Sequence, residues 1–240
     1  MNIATIPTEQ VWGLHGVRLF DGMTPQEVLT LQEAMPIVRY RQGEYLFFAG
    51  EAADSLFLLQ EGLVKVSYIT LNGDEKILNI FQPGDVFGEL FLGKYRHRVG
   101  EARAMEDVAV CKLCEETFLD LIHEVPRIAL NFIRHLADEQ RETLARMHAL
   151  MRSEAKYRLL GVLLHSARRY CCTDNEWFTL PASITQEDIA NMTALNRSTV
   201  SSLINDLRRE GVLGGTGRSL TVHRAAIQAM LEEAGLEILV

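Results

Sequence analysis

The sequence predicts an α+β chain: an N-terminal double-stranded β-roll, one long helix, and a C-terminal helical domain closed by a hairpin. Three observations carry that prediction. Glycines recur at steps of about 7 to 12 residues between Val38 and Leu113, the rhythm of short antiparallel strands joined by tight turns. After Glu124 no glycine and only one proline, Pro126, interrupts the chain as far as Met151. Beyond that, two short amphipathic segments lead into a glycine-rich reversal.

In the first region the punctuating glycines are Gly43, Gly50, Gly62, Gly73 and Gly84. Between Gly62 and Gly73 the residues alternate, so that Val64, Val66 and Tyr68 are expected on one face and Lys65 and Ser67 on the other. Asn72-Gly73 predicts a type I′ hairpin turn, in which both central residues take positive φ, and Pro83-Gly84-Asp85 predicts another turn. The reading is about eight short strands in a closed or two-layered structure, preceded by a helix near Pro25 to Met35.

Pro126 suits the first turn of a helix, where its missing N–H costs nothing. From there Ile133, Leu136, Gln140, Thr143, Met147 and Leu150 follow at steps of 3, 4, 3, 4, 3, a heptad seam suited to pairing with a second copy. The opposite face (Arg134, Asp138, Glu139, Arg141, Glu142, Arg146) is too charged for burial on both sides. A second helix, Glu154 to Tyr170, carries Leu159, Leu160, Val162, Leu163 and Ala167, and Thr173-Asp174-Asn175 ends it. The join near Arg152-Ser153 is expected to be a hinge within continuous helix. The predicted domains are residues 1–124, a sensor roll; 125–152, a dimerisation helix; and 153–240, a DNA-binding domain.

The DNA assignment rests on the run from Ser183 to Leu213. Thr185, followed by Gln186-Glu187-Asp188, reads as an N-cap with acids in the first turn. Ile189, Ala190 and Met192 give that helix its inner face, and Thr193-Ala194-Leu195 make the turn. Asn196 or Ser198 caps the next helix, whose inner face is Val200, Leu203, Ile204 and Leu207. Its outer face near the N-terminus presents Arg197, Ser198, Ser201 and Ser202, an arginine able to grip guanine bidentately beside small hydroxyls that reach bases or phosphates; Thr199 is a further candidate DNA contact. Gly211-Val212-Leu213, a turn at Gly214-Gly215-Thr216-Gly217 and Ser219-Leu220-Thr221-Val222 form a hairpin after it, which makes the module a winged helix-turn-helix.

Composition bounds these readings. The formal net charge is −8, the wrong sign for a surface that attracts nucleic acid everywhere. Any DNA contact must come from a local patch. Between Thr185 and Arg224 five arginines (Arg197, Arg208, Arg209, Arg218, Arg224) stand against four acids (Glu187, Asp188, Asp206, Glu210). No apolar run approaches the roughly 20 residues that span a bilayer, and Met1 to Pro7 do not read as a secretory signal, so a cytoplasmic location without a membrane partner is expected. Four cysteines are too few for a disulfide scaffold. Cys111 and Cys114 form a C-x-x-C in an apolar strand and Cys171-Cys172 lie near a helix end; the four read as small hydrophobes and incidental thiols, with a redox pair or metal site as the alternative, a weak one for a C-x-x-C without a second ligand pair.

Nearly the whole chain resembles the CRP/FNR family of transcription regulators. The residues that carry the resemblance are the glycine-punctuated roll, Pro83-Gly84-Asp85-Val86-Phe87-Gly88-Glu89-Leu90, the helix opened by Pro126, and the winged helix with Arg197. The resemblance implies a roll like the cyclic-nucleotide-binding jelly roll, a homodimer held by the long helix, a palindromic double-stranded DNA operator, RNA polymerase as a partner, an effector that reorients the DNA domains, and no enzymatic activity. Arg197 looks like the family's guanine-contacting arginine. Ser198 stands where the family often has glutamate and Ser202 where it often has a second arginine, so a different half-site is expected from that of the cyclic-AMP-responsive members.

Cyclic-nucleotide-binding members carry a Gly-Glu-Leu turn and a downstream Arg-Ser/Thr-Ala that cradle the ribose and cyclic phosphate. Gly88-Glu89-Leu90 matches and Arg98 falls near the right distance, but Val99-Gly100 follows. Thr143 looks like the first of two hydroxyl residues that read the base, and Leu144 replaces the second. Iron–sulfur members use an N-terminal cysteine cluster that is missing here; His15 and His97 are the candidates for a haem ligand. The effector is therefore open among a cyclic nucleotide, haem, another small organic or redox signal, or none, and no cofactor is assigned. Two other classes compete: a cupin-like metal enzyme, for which His97 stands alone in the β region, and a cyclic-nucleotide regulatory module without DNA binding, against which the winged helix argues.

Overall fold

The computed structural model describes residues 18–24, 26–27, 35–152, 154–170, 176–216 and 219–236. The helix expected near Pro25 to Met35 falls for the most part outside the described residues, as do His15, Cys171, Cys172, Thr173-Asp174-Asn175 and Arg218. The chain divides into two compact units, with the main division inside the long helix between Asp138 and Glu139.

The first unit is the roll. Its strands are β1 (Ile37–Tyr40), β2 (Tyr45–Phe47), β3 (Ser55–Glu61), β4 (Val64–Ile69), β5 (Glu75–Phe81), β6 (Val86–Phe87), β7 (Glu101–Ala104) and β8 (Val108–Cys114). They form two four-stranded sheets, ordered β1-β8-β3-β6 and β2-β7-β4-β5. β3 is buried from Ser55 to Leu59 because both its faces are covered, which is why its sequence is continuously apolar rather than alternating. Phe57 and Leu59 point into a core shared with Phe47, Phe81, Phe87 and Val110. Leu56 and Leu58 point the other way, into a core with Leu113, Phe118, Leu121, Ile128 and Phe132. The last four come from two helices, α1 (Glu115–Glu124) and the start of α2 (Arg127–Leu150). Each such side chain contributes roughly 1.5–3 kcal/mol by leaving water. Asn131 of α2, buried, donates to the carbonyls of Leu19 and Asp21 at 3.0 and 2.9 Å and so ties the segment before β1 to the helix.

Two local expectations in the roll need correction. Gly73 has φ +86°, but Asn72 does not have positive φ. The Gly73 N–H bonds the Thr70 carbonyl at 2.9 Å and the Asp74 carbonyl accepts from Thr70 N–H at 2.9 Å. This is an ordinary tight turn followed by a left-handed glycine, not type I′. On β4 the alternation fails at Ser67, which is buried, while Tyr68 is exposed. The chain at Gly100 comes so close that a Cβ there would stand 2.5 Å from the Ser67 carbonyl oxygen, and this approach closes over that end of the strand. Cys111 and Cys114 lie three apart on one strand and face opposite ways: Cys111 is buried and burial pushes its thiol up to about 11, while Cys114 is exposed. The Pro83-Gly84 turn has the expected form, with Gly84 at φ +95° and Asp85 N–H on the Gln82 carbonyl at 3.0 Å, which fits proline and glycine in the two central places of a type II turn.

In the second unit α3 (Ala155–Tyr170), α4 (Gln186–Thr193), α5 (Arg197–Arg209) and α6 (Arg224–Glu233) enclose a core that includes Leu159, Leu160, Leu163, Ile189, Val200, Ile204, Leu207, Ile227 and Leu231. Strands β9 (Trp177–Thr179), β10 (Leu213–Gly214) and β11 (Thr221–His223) form a sheet in the order β10-β11-β9. The hairpin is the expected wing; β9, α1 and α6 are additional elements. The join after α2 is not continuous helix. Helix α2 ends at Leu150 and α3 begins at Ala155, and the Arg152 guanidinium turns back to the Tyr157 carbonyl at 3.3 Å, over Gly161, where an added Cβ would meet it at 2.7 Å.

Candidate functional site

The helix-turn-helix is built by local chemistry. Thr185 caps α4: its hydroxyl accepts from the Asp188 N–H at 3.2 Å and the Asp188 carboxylate accepts from the Thr185 N–H at 2.9 Å. That closed box satisfies two of the free donors at a helix start, and it commits the Thr185 hydroxyl to the fold. Thr193 is the last residue of α4 rather than part of the turn, its hydroxyl on the Ile189 carbonyl at 2.8 Å. Ala194 carries the reversal at φ +53°, and among the described residues no other non-glycine has positive φ. Asn196, not Ser198, occupies the N-cap of α5, without a side-chain hydrogen bond to the helix.

Helix α5 buries Val200, Ile204 and Leu207 and turns the opposite side outward. Arg197, Ser198 and Ser202 are exposed, as is Asn205; Thr199, Ser201 and Gln186 are half-buried. The Arg197 guanidinium stands 3.9 Å from Glu187, and both side chains are mostly in solvent. An ion pair of that kind contributes about 0–1 kcal/mol and leaves the arginine available to a stronger acceptor. Arg209 at the far end is ion-paired to Asp206 of the same helix. The face can therefore offer one arginine and several small hydrogen-bonding groups to the edge of a base pair.

In the roll the expected effector residues separate. Gly88 has φ +91° and opens a short 3-10 helix, Glu89–Leu92. Arg98 is only 4% exposed. Its Nη1 donates to the Gly88 carbonyl at 2.9 Å, and its Nη2 donates to the Ser55 carbonyl at 2.8 Å and to the Ser55 hydroxyl at 3.2 Å. The Ser55 hydroxyl donates in turn to the Asp54 carboxylate at 2.9 Å. The guanidinium also lies over the Phe47 and Phe57 rings, 4.4 and 5.5 Å from their centroids, a favourable placement for a cation. Burial pulls the Arg98 pKa down, against the attraction of Asp54, Glu89 and Glu51. A side chain on Gly88 would collide with this arrangement, its Cβ 2.9 Å from Arg98 Nη1. Ser55, Phe47 and Phe57, which hold Arg98, were not singled out by sequence reasoning.

Val99, the next residue, is 69% exposed. His97 is exposed and forms an isolated bridge with Ala52. Among the described residues no three His, Cys, Asp or Glu side chains converge as a metal site, and no helix is long and apolar enough to cross a membrane. On α2, Thr143 is exposed, and so are Ile133, Leu136, Leu144, Met147 and Leu150, together with Leu130 and Met151, which extend the apolar stripe beyond its predicted members.

Comparison with known proteins agrees with both halves. Residues 37–125 match the model of the cyclic nucleotide-binding domain, and residues 157–227 match that of the Crp-like helix-turn-helix domain. The cyclic AMP receptor protein of Thermus thermophilus is 29% identical over 214 residues, covering 89% of this chain and 96% of that protein. The fumarate and nitrate reduction regulatory protein of Salmonella typhi is 28% identical over 191 residues, covering 80% and 76%. The crystal structure of a CRP-family transcriptional regulator, also from Thermus thermophilus, is 30% identical, covers 84% of this chain and 98% of that one, and superposes with a TM-score of 0.64. A β-roll joined to a Crp-like winged helix defines a DNA-binding transcription regulator. This chain belongs to the CRP/FNR family, whose members bind DNA as dimers and are regulators, not enzymes.

Proposed function

We infer that the chain works as a homodimer, paired through α2, that reads an inverted-repeat operator with the N-terminal half of α5. The observation that carries this reading is the exposed position of Arg197 at the first turn of α5, beside Ser198 and Ser202. Arginine to guanine is the commonest specific base contact, and the serines add short donors and acceptors. Asn196, Thr199, Gln186 and the backbone at Thr185 are assigned to the flanking sugar–phosphate, and Ser201 to a base or a phosphate. The apolar stripe of Ile133, Leu136, Leu144, Met147 and Leu150, exposed in one chain, is the surface a second copy would cover. The domain roles follow: the roll up to residue 124 receives the signal, residues 125–152 pair, and residues 153–240 bind DNA. RNA polymerase is the downstream partner that family membership implies. Light scattering should give twice the chain mass at micromolar concentration, and selection from random duplexes should give half-sites with centres about 34–36 Å apart. A monomer that binds its selected site fully would overturn the dimer reading.

For the effector, the disposition of Arg98 favours a signal other than cyclic AMP. Its two terminal nitrogens already donate to the carbonyls of Gly88 and Ser55, so an anion meeting them would have to displace those bonds, with Glu89 and the Leu90 backbone beside it; the buried Nε has no hydrogen-bond partner among the described residues. Val99 cannot donate to a phosphate oxygen, and Leu144 cannot hydrogen-bond an adenine edge as a hydroxyl beside Thr143 would. Each missing bond to a charged or buried partner costs on the order of 1.5–3 kcal/mol, and two such losses reduce affinity by about a hundredfold or more. Calorimetric titration with cyclic AMP is expected to show weak binding with no gain in operator affinity. Low-micromolar binding coupled to a large gain would reverse the conclusion.

A further inference from the structure

We propose that Asn205 is a specificity-determining residue of α5, reading an adenine about two to four base pairs from the guanine taken by Arg197. The proposal rests on the reading of α5 as the DNA-contacting helix. With Val200, Ile204 and Leu207 buried, the outward side of α5 carries Ser198, Ser201, Ser202 and Asn205. Their spacing is i, i+3, i+4, i+7, which places all four on one face. Homeodomain helices lying in the major groove present their base-reading side chains with the same spacing.

The chemistry of the four positions is unequal. Three are serines, whose single hydroxyl can serve several bases. Asn205 alone has a planar amide whose donor and acceptor match N7 and N6 of adenine together. It is exposed, and its side chain has no hydrogen-bond partner among the described residues. An asparagine in the interior of a 13-residue helix is also a poor choice for the helix itself, since its propensity is well below that of alanine. The next position on the stripe, Arg209, is held by Asp206, so the run of available readers ends at Asn205. Eight residues separate Arg197 from Asn205, about 12 Å along the axis at 1.5 Å each. Against roughly 3.4 Å per base pair, and with the helix inclined in the groove, that separation corresponds to the two to four base pairs stated.

The test is selection from random-sequence duplexes with the full-length protein, in four forms: wild type, Asn205→Ala, Asn205→Asp and Arg197→Ala. Helicity and mass are checked for each. The wild type should select an A·T pair at the stated distance from a guanine in each half-site. Asn205→Ala should lose that preference, keep the guanine, and bind the wild-type site about fivefold to 150-fold more weakly. Asn205→Asp, which only accepts, should move the preference at that pair toward cytosine, whose N4 donates. An Asn205→Ala protein that selects the same half-site with the same affinity overturns the proposal. So does a loss of affinity that is equal on all sequences, which would mark a contact to the sugar–phosphate backbone and not to a base. If Arg197→Ala instead keeps the full wild-type preference, the underlying reading of α5 fails, whatever Asn205 does.

Discussion

Two arginines, Arg98 in the roll and Arg197 on α5, occupy opposite physical situations in this chain. Arg98 is 4% exposed, stacked on Phe47 and Phe57, with both terminal nitrogens donated to backbone carbonyls. Arg197 has most of its side chain in solvent and a single long ion pair to Glu187. Residue type and sequence position suggest ligand contact for both. The difference between them lies in how each is held: the terminal nitrogens of Arg98 are fixed by backbone carbonyls, whereas Arg197 is held loosely at a helix start and can turn to a stronger acceptor.

The largest effect that could break this comparison is on stability. Arg98→Leu removes three charge-assisted hydrogen bonds while also relieving a desolvated charge, and the balance should cost about 2 kcal/mol in urea unfolding. A variant as stable as wild type would mean that Arg98 is kept for a ligand and not for the roll. A smaller effect, of opposite sign, is expected beside Arg197. Ala194 sits at φ +53°, where a Cβ costs about 1–2 kcal/mol, partly offset by the greater freedom of glycine in the unfolded chain. Ala194→Gly should raise the stability of the DNA domain by about 0.5–1 kcal/mol with operator affinity unchanged. A loss of stability would show that the turn is not strained.

Much of this was legible in the sequence, and the misses have physical causes. Glycine spacing locates the strands because a left-handed turn residue is a strong local requirement, but at Asn72-Gly73 it does not specify which residues go left-handed. Helix α1 follows β8 without a break, and its N-cap is Cys114 rather than a favoured capping residue, so no start signal marks it. Strand β9 is only three residues long, and α6 is capped by the ring of His223, whose Nδ1 accepts from Ala226 N–H at 3.1 Å, another uncommon cap. The two helices of the helix-turn-helix were legible because their inner faces follow helical spacing, but the bounds of the turn were not: Thr193 still belongs to α4. Spacing brings Arg98 to Gly88 yet says nothing of where its side chain turns; that depends on Ser55, 43 residues earlier in the chain. Asn205 carries no mark of its own in the sequence: helical spacing puts it on the outward side of α5 but does not separate a base reader from a solvated side chain.

The central claim is that Arg197 reads DNA and does not hold the fold together. Anisotropy titration of Arg197→Ala against its selected operator and a scrambled duplex, at one salt concentration, tests it directly. The expected result is a loss of about 1–3 kcal/mol on the operator, a much smaller loss on the scrambled duplex, and a stability that moves by no more than about 0.5 kcal/mol. Equal losses on both duplexes, or an operator affinity that does not change, would contradict it.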